Sequence, residues 1–105
     1  MRLTTKQQSG LLTAIQKYVL GDFELRLYGS RLDLNAKGGD IDLLLLVDDN
    51  LVSAIKWDKH KLLVAIKTQI GEQKIDLSIA SKKIIVADPF LSLIYEKSQI
   101  IGPLL

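Results

Sequence analysis

Residues 28 to 47 read "YGSRLDLNAKGGDIDLLLLV". Two aspartates, Asp40 and Asp42, stand two apart at the entrance to an unbroken aliphatic run, Leu43 to Val47. That run is apolar at every position, which suits a central strand covered on both faces. Alternate residues of a strand share a face, so Asp40 and Asp42 project side by side. Close carboxylates repel, and partial burial makes each charge costlier. Three arrangements relieve this: a shared proton, a basic neighbour such as Arg31 or Lys37, or a divalent cation with oxygen ligands. Magnesium suits the third, because it commonly takes one or two carboxylates plus phosphate oxygens and water.

Upstream, "DFELRLYG" alternates Phe23, Leu25 and Leu27 with Glu24, Arg26 and Tyr28, the pattern of a strand with one face buried. Before it, Leu11, Leu12, Ile15, Tyr18 and Val19 fall on one helical face, predicting a helix from about Thr5 to Leu20 stopped by Gly21. Gly38-Gly39 marks a turn. Downstream, Asp48-Asp49-Asn50 ends the aliphatic strand and offers a cap for a second helix, about Leu51 to Ile70, closed by Gly71. "EQKIDLSIA" alternates again, with Ile75, Leu77 and Ile79 on one face and Lys74, Asp76 and Ser78 on the other, predicting a third strand. "KIIVA", residues 83 to 87, reads equally as a short strand or a loop. Asp88-Pro89 starts a final helix, with Asp88 as cap and Pro89 as first helical residue. The tail "IIGPLL" is too short to classify. The expected fold is α+β: a small mixed sheet with helices packed on it, in the order α-β-β-α-β-α, as one domain over residues 1–105.

Composition narrows the function classes. The 105 residues include no cysteine, which excludes disulfides, thiolate metal ligands and a cysteine nucleophile. Fourteen basic residues against twelve acidic give a charge of only +2, so general nucleic-acid binding is disfavoured. The N-terminal stretch lacks a signal-peptide pattern, and no segment approaches the roughly 20 apolar residues that cross a bilayer. The expected location is the cytoplasm.

Asp76 is the third carboxylate of interest. If its strand pairs beside that of Asp42, the acids meet, and carboxylates around magnesium make a phosphoryl-transfer arrangement. Gly29-Ser30, at a strand end, supplies the complement: glycine lets a phosphate approach the backbone, and a serine hydroxyl donates to a phosphate oxygen. Arg31 follows directly and could touch a phosphate or serve structure alone. The P-loop pattern is absent. Lys74 reads foremost as an ion-pair partner and secondarily as a triphosphate contact. His60 reads as a surface residue, Trp57 as a core edge or partner surface, and Asp48 and Asp49 as a turn and cap.

Taken together, "GSRLDLNAKGGDIDLLLLV" resembles the signature of the minimal nucleotidyltransferases of the DNA polymerase beta superfamily. The pattern is Gly-Ser, a short spacer (nine residues here, Arg31 to Gly39), Asp-x-Asp, and a later acid, for which "GEQKIDLSIA" is similar. The resemblance spans about residues 8 to 98. It implies that Gly29 and Ser30 hold the β and γ phosphates of a nucleoside triphosphate, ATP foremost. It implies that Asp40, Asp42 and Asp76 bind Mg2+, with Asp76 helping to deprotonate the acceptor hydroxyl. The implied reaction is attack on the α-phosphate with release of pyrophosphate. Larger members of the superfamily carry extra domains for template, tRNA or antibiotic, for which this chain leaves no room. The resemblance therefore implies an acceptor brought by a partner or a homo-oligomer. The family's usual partner is a small helical HEPN-type protein in a toxin–antitoxin pair. A non-catalytic module that binds nucleotide or masks a partner is the alternative on the same fold.

Overall fold

A computed structural model describes residues 1–35 and 39–103. The first helix, α1, spans Thr5–Gln16. Thr4 caps it in a full capping box: its side chain accepts from the Gln7 N–H, and the Gln7 side chain accepts from the Thr4 N–H. The helix stops earlier than its apolar pattern predicts, with Lys17 as its C-cap; Val19 is still buried, but from the loop beyond. Strand β1 is Phe23–Tyr28, and a 3-10 turn, Gly29–Leu32, follows it at once. Strand β2 is Ile41–Val47.

The single long helix expected next is divided. A 3-10 turn at Asp49–Leu51 leads into α2, Val52–Trp57, and α3, Lys59–Ile70, with Asp58 between them. Asp48 forms no side-chain capping bond there. Gly71 ends α3 as expected, at φ +88°, with its N–H donating to the Lys67 carbonyl. Strand β3 is Ile75–Ala80.

Two segments that the sequence left open are now defined. "KIIVA" lies in a helix, α4, Lys82–Ala87, because Ser81 caps it by accepting from the Ile84 N–H. Helix α5, Pro89–Lys97, begins as predicted: the Asp88 carboxylate accepts from the Phe90 and Leu91 N–H groups. The tail forms a fourth strand, β4, Gln99–Gly102.

The sheet order is β3-β2-β1-β4. β1 runs antiparallel to both β2 and β4, and β2 runs parallel to β3. One sheet face carries Leu25, Leu27, Ile41, Leu43, Leu45, Leu77 and Ile79, covered by α1, α2 and α3. The other carries Leu44, Leu46 and Ala80, covered by α4 and α5 through Ile85 and Ile94. β2 is thus buried on both faces, as its aliphatic run predicts, with Leu43, Leu44 and Leu45 fully inaccessible. The mixed α+β architecture follows from the sequence; the element order is richer than expected, by the division of the long helix, α4 and β4.

Candidate functional site

The parallel pairing of β2 with β3 places Asp42 directly beside Asp76, while Tyr28 of β1 faces Asp42 from the other side. The row Tyr28–Asp42–Asp76 crosses three strands at the edge where β2 and β3 begin. All three side chains belong to the face covered by α4 and α5, and Tyr28 packs against that cover. Asp76 is exposed, and Asp40 and Asp42 are half-buried.

Electrostatics mark Asp42. Burial, then the charges of Asp76 and Asp40, push its carboxyl above its ordinary value. Of the basic neighbours the sequence offered for the pair, Arg31 is bonded elsewhere, and a different cation, Lys74, stands by Asp40, with Nζ 3.7 Å from Oδ2. Lys74 was expected on the same strand face as Asp76; it precedes β3 and pairs with Asp40 instead. Lys37 lies outside the described residues. Asp42 therefore keeps two like charges as its electrostatic neighbours.

Gly29 and Ser30 stand against this carboxylate. Gly29 takes φ +78°, and a Cβ on it would fall onto Asp42 Oδ2 and lie 3.2 Å from Cγ. Only glycine lets the turn approach the acid this closely. Across the turn, a Cβ on Gly39, at φ +96°, would lie 2.6 Å from Ser30 Oγ. Gly29 thus stands against Asp42, and Ser30, next in the turn, against Gly39.

Arg31 is held differently from a freely presented phosphate ligand. Its Nη1 donates to the Arg2 carbonyl at 3.0 Å, its Nε to the Gly39 carbonyl at 3.3 Å and its Nη2 to Gln73 Oε1 at 3.5 Å. It bridges the two ends of the loop before Asp40 to the chain's beginning.

Three participants have no signal in the motif. Arg2 clamps the turn: its Nε donates to the Asp33 carbonyl at 2.6 Å, its Nη2 to the Ser30 carbonyl at 3.0 Å, and its backbone N–H to the Arg31 carbonyl at 2.7 Å. Its partners lie about thirty residues away, beyond any local pattern. Tyr28 and Ser78 are the other two, on the same strand face as Asp42 and Asp76. Burial pushes the Tyr28 hydroxyl above its ordinary value; the nearby Ser78 side chain opposes the shift, and the charges of Asp76 and Asp42 add to it. Strand alternation could have found both, because each shares its face with the acids.

Among the described residues, no three acidic or histidine side chains gather closely enough to form a metal-ligand group by themselves. Asp42 and Asp76 form a like-charged pair whose donor chemistry suits a hard divalent cation, with the balance of ligands coming from elsewhere. A cavity of about 690 Å³ lies at the opposite end of the sheet, lined in part by Phe23, Val47, Asp49 and Ser81, and includes none of these acids. His60 and Trp57 are exposed on the helices of the far face. Asp49 accepts from Ser81 Oγ at 2.6 Å, a structural role away from the site. No helix among the described residues is long and apolar enough to cross a membrane.

Comparison with protein-family models gives no match to this chain, and comparison with curated proteins gives no significant match either.

Proposed function

We propose that this chain is a cytoplasmic, magnesium-dependent nucleotidyltransferase. It would move a nucleoside monophosphate, AMP from ATP, onto a hydroxyl group. The observation that carries this reading is the placement of Gly29 against Asp42, which stands beside Asp76 at the end of the sheet where β2 and β3 begin. A bare glycine backbone and a serine hydroxyl suit a phosphate chain. Adjacent carboxylates beside it suit the cation that accompanies one.

Asp42 and Asp76, with Asp40 flanking them, are the residues that would hold magnesium. When bound, the ion neutralises phosphate charge and favours departure of pyrophosphate. The chain's own groups do the rest. The Gly29–Ser30 turn positions the triphosphate, with Ser30 Oγ donating to a phosphate oxygen. The acceptor oxygen attacks the α-phosphorus, the bond to the bridging oxygen breaks, and pyrophosphate leaves with its electron pair. Asp76, the most exposed of the three acids, takes the acceptor's proton. The acceptor lies on a partner, in keeping with the helical protein of a toxin–antitoxin pair.

The test is label transfer. The protein, α-labelled ATP, magnesium and the product of the adjacent gene are incubated together. Label on the partner, lost with Asp42→Asn, is expected; no transfer from any nucleoside triphosphate would sink the catalytic reading.

A second reading, a non-catalytic module that binds nucleotide or masks a partner, is favoured by two observations. Among the described residues the acids lack a complete ligand group, and Asp40 is engaged by Lys74. It predicts that Asp42→Asn leaves the biological effect on the partner intact.

A further inference from the structure

None of the four residues of the Gly29–Leu32 turn is buried, and of them Leu32 alone packs partly against the core. Gly29 and Ser30 are exposed. A turn with so little packing of its own keeps its shape through hydrogen bonds, and here two arginines supply them.

Arg2 reaches the turn from a fixed base. Its neighbour Leu3 is buried in the core, and Thr4 caps α1. Its backbone is bonded to Arg31 twice: the Arg2 N–H donates to the Arg31 carbonyl at 2.7 Å, and Arg31 Nη1 donates to the Arg2 carbonyl at 3.0 Å. From that base the guanidinium grips two carbonyls at once, Asp33 through Nε at 2.6 Å and Ser30 through Nη2 at 3.0 Å. A rigid planar fork can hold two acceptors in fixed relation; a lysine ammonium on a flexible stem cannot.

The grip falls on Ser30. Its carbonyl accepts from Arg2 Nη2 and also from the Asp33 N–H at 3.0 Å, so both lone pairs are engaged. The planar peptide after Ser30 is thereby fixed next to the Cα that carries the hydroxyl. Facing it, a Cβ on Gly39 would lie 2.6 Å from Ser30 Oγ and 3.9 Å from Arg2 Nη2. Gly39 is held in turn, its carbonyl accepting from Arg31 Nε at 3.3 Å. The arginines therefore hold the backbone on each side of the contact between Ser30 and Gly39.

We propose that Arg2 is a positioning residue for the phosphate turn: it acts through Ser30, holding the hydroxyl where it meets a phosphate oxygen. The inference rests on the nucleotidyltransferase reading, in which Ser30 Oγ donates to the triphosphate. The Arg2 donors aimed at Ser30 and Asp33 are occupied by the chain's own carbonyls, so the role is one of shape rather than of charge delivered to the nucleotide.

Magnesium–ATP is titrated calorimetrically into the wild type, Arg2→Ala and Arg2→Lys, and into the same two variants carrying Ser30→Ala as well, with Ser30→Ala as reference. Arg2→Ala should weaken binding about tenfold or more. Arg2→Lys keeps the charge and loses the fork, so it should recover little of that affinity; it decides the question even where Arg2→Ala fails to fold. In the Ser30→Ala background, either Arg2 change should alter affinity by about twofold or less, because the group being positioned is gone. Full affinity in Arg2→Lys overturns the proposal and assigns the effect to charge. Losses that add independently of Ser30 overturn it too, since direct phosphate contact or general loosening would produce them. Binding by Arg2→Ala equal to wild type rejects positioning while leaving the nucleotidyltransferase reading intact. No binding by the wild type rejects that reading, and this proposal with it.

Discussion

Gly29 lays its backbone against the carboxylate of Asp42, so closely that a methyl group on Gly29 would collide with Oδ2. Two costs then separate cleanly. Gly29→Ala is expected to destabilise the fold by about 2–3 kcal/mol, combining backbone strain at positive φ with the collision. In an Asp42→Ala background only the strain remains, so the same change should cost less. Urea unfolding of the four proteins measures both. Equal costs in the two backgrounds would mean that the acid and the turn are not in contact.

Asp42 should also have an inverted pH signature. Its folded carboxyl titrates above its ordinary value. The native state therefore binds a proton more tightly than the unfolded state. That contribution is full below the unfolded value and is lost as pH rises through the raised one. Asp42→Asn should remove this fall and leave the protein at least as stable as wild type near neutrality. Stability measured across the mildly acidic range decides it; a neutral-pH loss in the variant would show that the ionised acid stabilises the fold.

The Arg2 clamp predicts a local effect. Arg2→Ala removes two side-chain hydrogen bonds to the Gly29–Leu32 turn and its neighbour Asp33 while leaving the backbone bond to Arg31. A cost of about 1–2 kcal/mol is expected. Faster amide exchange should be confined to Asp33, whose N–H donates to Ser30, and its neighbours. Exchange that speeds equally in β2 would indicate a global role instead.

Ser81 is buried at 2% exposure, donating to Asp49 and capping α4. Ser81→Ala strips both bonds and is expected to cost about 1–2 kcal/mol. Since it lies at the far end of the sheet, nucleotide binding should be unaffected once the variant is folded. A change in nucleotide affinity would connect the two ends of the sheet.

Much of this was legible in residues 28–47. The Leu43–Val47 run implied a doubly covered strand, and alternation in residues 75–80 put Asp76 on the polar face; parallel register then brought Asp42 and Asp76 together. What stayed hidden depends on contacts distant in sequence. β4 has only four residues, and its strand character comes from pairing with β1 some seventy residues earlier. "KIIVA" is rich in β-branched residues, yet the Ser81 cap and packing of Ile85 under the sheet override that preference. Arg2 and Lys74 reach their partners only after the strands align.

The central claim is that Gly29, Ser30, Asp40, Asp42 and Asp76 form one site for a magnesium–nucleoside triphosphate. Calorimetric titration of ATP, with and without magnesium, tests it in the wild type and in Asp42→Asn. Magnesium-dependent binding by the wild type, weakened about tenfold or more in the variant, is predicted. Absence of ATP binding, or equal binding by both proteins regardless of magnesium, would contradict it.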